Sequence, residues 1–146
     1  MAVLRRNMLT RVVIGTNGRK AIIFGTAKSS SKTDLHEEAI EHMAQVMAES
    51  GDYAYVTIGD RSWRTATGRY PGASTLRPDV IGLDRNGRFT AYEVASQHDT
   101  EKELKRRLYE GQQSLPEELQ GEIKAFFAEE ALDFRRKAKS RVKGTK

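Results

Sequence analysis

The sequence predicts one α/β domain of the α+β kind, led by a β-hairpin, and three observations predict it. Two Asn-Gly dipeptides each lie between short runs of β-branched and aromatic residues, the pattern of a hairpin turn between strands. One stretch, residues 34–50, carries its apolar side chains at helical spacing. The chain has 146 residues, 38% hydrophobic and 31% charged, enough to bury one core and too little for two.

Taken in order, residues 12–24 place two β-branched runs around Asn17-Gly18 and read as a hairpin. Residues 15–20 lack the spacing and the Lys-Ser/Thr ending of a phosphate loop, so they are read as the turn. Residues 29–32 form a polar linker. The next segment opens with Asp34 and Glu37 at capping-box spacing, closes at Gly51, and puts Leu35, Ala39, Ile40, Met43, Val46 and Met47 on one stripe. His42 lies off that stripe and is expected in solvent. Residues 53–58 read as a strand, and residues 59–77, with three glycines and Pro71, as a long irregular loop.

Residues 80–83 and 89–96 are two strands around Arg85-Asn86-Gly87. Thr100 with Glu103 opens a helix through about Gln113, with Leu104 and Leu108 inward. Pro116 suits the first turn of a further helix in which Leu119, Ile123, Phe126, Phe127 and Phe134 keep helical spacing. The expected order is ββ, α, β, loop, ββ, α, α, without internal repeat.

Composition excludes several classes of function. With no cysteine there is no disulfide framework, thiolate zinc site or thiol nucleophile. No run of ~18 apolar residues and no basic-then-apolar leader is present, so neither a membrane span nor a signal peptide is expected. The net charge of +5 divides into +7 over residues 1–33, −9 over residues 34–134 and +7 over residues 135–146. Cationic ends around an acidic middle fit carboxylates gathered at a cation site and ends that meet a polyanion, although a basic end is equally the composition of a solvated tail.

The informative segment is Arg77-Pro78-Asp79, then thirteen residues, then Glu93-Val94-Ala95-Ser96-Gln97. Alternation along the strand gives Glu93, Ala95 and Gln97 one face and Tyr92, Val94 and Ser96 the other. Glu93 thus projects where a strand this apolar should be buried, and it needs a cation, an arginine or a proton as partner. Asp79 at the mouth of the adjacent strand completes a two-carboxylate site for a hard cation such as magnesium. Register decides whether the two meet. A two-residue turn centred on Asn86-Gly87 would set Val80 opposite Glu93 and turn Asp79 to the far face. A three-residue loop, with Gly87 left-handed as a bulge, would pair Asp84 with Arg88 and set Asp79 opposite Glu93. Ser96 has no His-Asp pattern of the hydrolase kind, which argues against a serine nucleophile.

These motifs resemble those of the PD-(D/E)xK nuclease superfamily: Pro-Asp, a short hairpin, then Glu-x-Lys on the second strand. More narrowly, Trp63-Arg-Thr-Ala-Thr-Gly68, Arg77-Pro-Asp-Val-Ile-Gly82 and Tyr92-Glu-Val-Ala-Ser-Gln97 look like the C-terminal nuclease toxin domains of bacterial Rhs and related polymorphic toxins, over about residues 33–115. The resemblance implies a restriction-endonuclease-like mixed sheet flanked by helices. It divides the chain into a basic N-terminal hairpin and linker, 1–32, a nuclease-like core, 33–134, and a basic C-terminal tail, 135–146.

It also implies magnesium or manganese held by Asp79, Glu93 and the carbonyl of Val94, with His36 or Glu37 as the helix-borne member of the site. His36 points to the middle of the apolar stripe and Glu37 lies about 130° from that centre. Glu37 is alternatively only the capping-box partner of Asp34, and His36 only a core histidine. At position 95 the superfamily has lysine and this chain has Ala95. Either Gln97 takes over the positioning of water, or Ala95 replaces a native lysine by design, or the chain retains binding without catalysis.

The basic residues Arg61, Arg64, Arg69 and Arg77 of the loop, and Arg135, Arg136 and Lys137 of the tail, are candidates for phosphate contacts. Trp63, Tyr70 and His98 either stack on a base or pack on the core, and packing is the expected role. The function implied is a metal-dependent DNA endonuclease, RNA not excluded, acting in the cytoplasm as a toxin module that is exported within a larger chain and neutralised by an immunity protein. A monomer is expected of such a toxin. The alternatives are a dimeric nuclease that resolves four-way junctions or serves phage recombination, and a non-catalytic nucleic-acid-binding module.

Overall fold

Both Asn-Gly sites close hairpins, and both use three-residue loops. In the computed structural model, which describes residues 10–27, 34–95 and 99–133, strand β1 (Thr10–Ile14) runs antiparallel to β2 (Lys20–Phe24). The amide of Gly15 donates to the Arg19 carbonyl at 2.8 Å and that of Gly18 to the Gly15 carbonyl at 2.9 Å. Gly18, at φ +81°, takes the left-handed conformation that a side chain resists. The same loop recurs between β4 (Val80–Asp84) and β5 (Phe89–Ala95): the Asp84 amide donates to the Arg88 carbonyl at 2.9 Å, and Gly87 has φ +84°.

Between the hairpins, helix α1 (Asp34–Glu49) leads into β3 (Tyr53–Ile58). Its inward stripe is Ala39, Ile40, Met43, Val46 and Met47, with His36, Ala44 and Ala48 also buried. Leu35, expected on the stripe, is 47% exposed instead. His42, expected in solvent, is half-buried. The loop 59–77 is not wholly irregular. Ser62 caps the Thr65 amide and starts a four-residue helix, α2 (Trp63–Ala66), which seats Trp63 in the core with no exposed surface.

Helix α3 (Glu101–Gln112) is capped by Thr100, which accepts from the Glu103 amide at 3.1 Å. The helix expected after Pro116 is a strand instead. A short 3-10 turn (Glu117–Leu119) leads into β6 (Gln120–Phe127), and only then does a brief helix, α4 (Ala128–Leu132), form. The physical reason lies in the neighbouring strand. All seven residues of β5 are buried, so its outer row of N–H and C=O groups needs a partner, and β6 supplies it in parallel register from Phe89↔Gln120 to Ala95↔Phe127. Side chains of β6 then alternate: Ile123 and Ala125 pack toward α3, Phe126 toward α1.

The result is a six-stranded mixed sheet in the order β1-β2-β3-β4-β5-β6, with β2–β3 and β5–β6 parallel and the other pairs antiparallel. Helices α1 and α4 cover one face over Ile23, Val56, Ile58, Val80, Tyr92 and Val94. Trp63 and α3 cover the other over Ile81, Phe89 and Ala91. No described helix is long and apolar enough to cross a membrane. Residues 28–33, Ser96, Gln97, His98 and residues 134–146, which include Arg135, Arg136 and Lys137, lie outside the described residues.

Candidate functional site

The register of the second hairpin brings the two carboxylates together. Val80 pairs with Tyr92, Ile81 with Ala91, Gly82 with Thr90 and Leu83 with Phe89, and one further step sets Asp79 opposite Glu93. Pro78, which has no N–H, cannot extend the ladder, and side chains take over from backbone at that point. The Asp79 amide donates to Glu93 Oε1 at 2.8 Å, and the Val94 amide donates to Asp79 Oδ2 at 2.7 Å. Both residues are buried, at 8% and 6% exposure.

Helix α1 adds the third member. His36, in its first turn and 7% exposed, sets Nε2 at 2.7 Å from the Val94 carbonyl and 3.8 Å from Asp79 Oδ2. A carbonyl only accepts, so Nε2 carries the hydrogen of that bond. Glu37, the next residue, is half-buried. Asp79, Glu93, Val94 and His36 therefore converge where β4 begins and β5 ends.

Two carboxylates and a carbonyl are donors that suit a hard divalent cation. The Val94 oxygen already accepts from His36 but has a second lone pair. Among the described residues no group of three or more His, Asp and Glu side chains is arranged to hold a metal. Such an ion would draw its remaining ligands from water and from a substrate's oxygens, as magnesium commonly does.

Position 95 holds no chemistry. The Ala95 side chain is 4% exposed and packs with Leu104 of α3 and Ala125 of β6, an apolar setting on the face shared with Glu93. The replacement proposed for the missing lysine, Gln97, lies outside the described residues.

Of the four loop arginines, Arg77 alone lines the narrow cleft that opens onto Glu93, whose other walls are Trp63, Leu76, Pro78, Arg107 and Leu108. Arg64 and Arg69 are exposed elsewhere on the loop, whereas Arg61 is half-buried with its Nε enclosed near Gly25. Trp63 packs rather than presents a ring for stacking, and Tyr70 is 37% exposed. Arg107 has no place in the sequence-level site. Three residues after Leu104 and one before Leu108, it borders the buried stripe of α3, but spacing alone does not say that this stripe lies over Glu93.

Compared with protein-family models, with curated proteins and with solved structures, the chain finds no match.

Proposed function

We propose that the chain is a metal-dependent endonuclease acting on DNA, of the kind found as bacterial toxin modules. One observation carries the reading: Asp79 and Glu93 lie opposite each other and are each fixed by a backbone N–H, at 2.7 and 2.8 Å. Preorganised carboxylates of this sort serve to hold a cation in a set position. Magnesium bound there would polarise a scissile phosphate and lower the pKa of an attacking water. His36 holds the Val94 carbonyl, and through it the end of β5, in place beside Asp79. The mixed sheet, with a helix before and a helix after the motif strands, agrees with the motif resemblance.

A second reading, a nucleic-acid-binding module without catalysis, draws support from Ala95. It packs with Leu104 and Ala125, an apolar setting at the position where the superfamily's lysine would stand. Plasmid nicking separates the two. The unaltered chain and Ala95→Lys are incubated with supercoiled DNA in magnesium or manganese, with Asp79→Asn as control. Ala95 is 4% exposed beside Leu104 and Ala125, so the circular dichroism of Ala95→Lys is matched to that of the parent before its nicking is scored. Nicking that depends on metal and disappears in Asp79→Asn is expected from at least one of the first two proteins. DNA binding by all three without nicking by any would reject the nuclease and leave the binding module.

A further inference from the structure

The cleft in front of Glu93 has two cationic walls. Arg77 approaches from the segment before β4 and Arg107 from α3, and both are exposed. Among the described residues the arginines held in ion pairs are others: Arg11 with Glu41, and Arg106 with Glu103 and Glu110. Arg107 stands one residue from Arg106 on the same helix, yet only Arg106 has its guanidinium engaged by carboxylates of that helix. An arginine held in a helical ion pair is compensated on the surface. One beside a buried carboxylate that already accepts a backbone N–H keeps donors of its planar fork for an anion from outside.

We infer that Arg77 and Arg107 form a two-armed grip for a single phosphodiester, holding it over the Asp79–Glu93 pair, with Arg107 as the arm that makes contact from α3. The cleft space of about 10 Å³ holds roughly one water, so the phosphodiester rests at its mouth between the two arginines and a nucleobase does not enter. Its one aromatic wall, Trp63, is fully buried and offers no stacking face. The grip therefore reads the backbone and not the bases, since phosphate contacts carry no sequence information. Two guanidiniums also offset the repulsion that a phosphate meets beside two carboxylates. The inference rests on the nuclease reading for its place in a reaction, but the grip itself is a binding property and is measured without turnover.

The test is fluorescence anisotropy of a labelled duplex of mixed sequence, titrated with the full chain over a range of salt and without divalent metal. Arg107→Ala is expected to weaken binding about tenfold, as for loss of a charge-assisted hydrogen bond, and to flatten the dependence of log affinity on log salt by about 0.9. Arg107→Lys keeps a charge but loses the planar fork, so it should keep the salt slope and lose affinity. Arg106→Ala, one residue away, should leave both unchanged. A second mixed-sequence duplex should give the same losses. If Arg107→Ala and Arg106→Ala behave alike, or the unaltered chain fails to bind duplex, the grip is overturned. Plasmid nicking is scored separately: binding losses confined to Arg107 variants uphold the grip even where no nicking occurs, and nicking without those losses rejects the grip alone.

Discussion

Asp79 and Glu93 each accept a backbone N–H as well as presenting a carboxylate, so substitutions can separate structure from charge. Asp79→Ala leaves the buried Val94 amide without its acceptor, which costs about 1–3 kcal/mol. Asp79→Asn keeps an oxygen for that amide and loses only the charge. Urea denaturation should therefore show Asp79→Ala clearly less stable than the parent and Asp79→Asn close to it, while titration calorimetry shows magnesium binding lost from both. Magnesium affinity unchanged in Asp79→Asn would remove the carboxylate pair as a metal site. The same residues show how far side-chain reasoning reaches. Alternation along one strand and the helical wheel pointed to Glu93 and His36, because burying a polar group in an apolar pattern is visible in sequence. Arg107 required knowing that α3 covers the Glu93 face of the sheet, which is a tertiary fact.

Among the elements, the two hairpins were legible because turn chemistry is local. An Asn-Gly pair with glycine last in a three-residue loop sets the register, and the register sets Asp79 against Glu93. Strand β6 was not legible as a strand. Leu119, Ile123 and Phe126 fit a helical period as well as they fit a sheet, and the deciding influence is the unpaired edge of β5, distant in sequence. Long-range packing likewise separates two glycines that look alike in sequence. A Cβ on Gly87 would meet nothing within 4 Å, so Gly87→Ala pays only for its left-handed backbone, about 1–2 kcal/mol. A Cβ on Gly111 would fall 2.0 Å from Trp63 Nε1. Alanine ordinarily improves a helix interior by about 0.5–1 kcal/mol, but here α3 must shift from Trp63, and a net loss of about 1–3 kcal/mol is expected. Because Trp63 and Arg107 are walls of one cleft, Gly111→Ala should also weaken duplex binding, whereas Gly87→Ala should not. Equal binding by the two variants would show that α3 and Trp63 do not shape the cleft together.

At the scale of the whole molecule, the sheet carries one buried phenol, Tyr92 on β5, and two half-buried ones, Tyr53 and Tyr55 on β3. Burial is the leading cause that raises Tyr92, Tyr53 and Tyr55 above the ordinary tyrosine value of 10.0. For Tyr92 the neighbouring Tyr53 and the charge of Glu122 add to it, and its hydroxyl donates to Glu122 Oε1 at 2.8 Å. Tyr53 is hydrogen-bonded to Thr90 and Tyr92, which offsets part of its burial, and Tyr55 donates to the Ala66 carbonyl. These phenols keep their protons to higher pH folded than unfolded. The stability they confer is fully present below pH 10.0 and is lost as pH rises beyond it, because the unfolded chain releases the protons first. The loss is at most about 1.4 kcal/mol per pH unit for the buried Tyr92, and smaller for the half-buried Tyr53 and Tyr55. Urea midpoints measured across this range should fall steeply, and tyrosinate absorbance should appear in part only as the chain unfolds. In Tyr92→Phe the exposed Glu122 loses its partner to water at little cost, so stability near neutral pH should hold while the alkaline decline becomes shallower. A decline of equal steepness in parent and variant would show that Tyr92 ionises without unfolding the sheet, and that β5 and β6 part more easily at that point than their pairing implies.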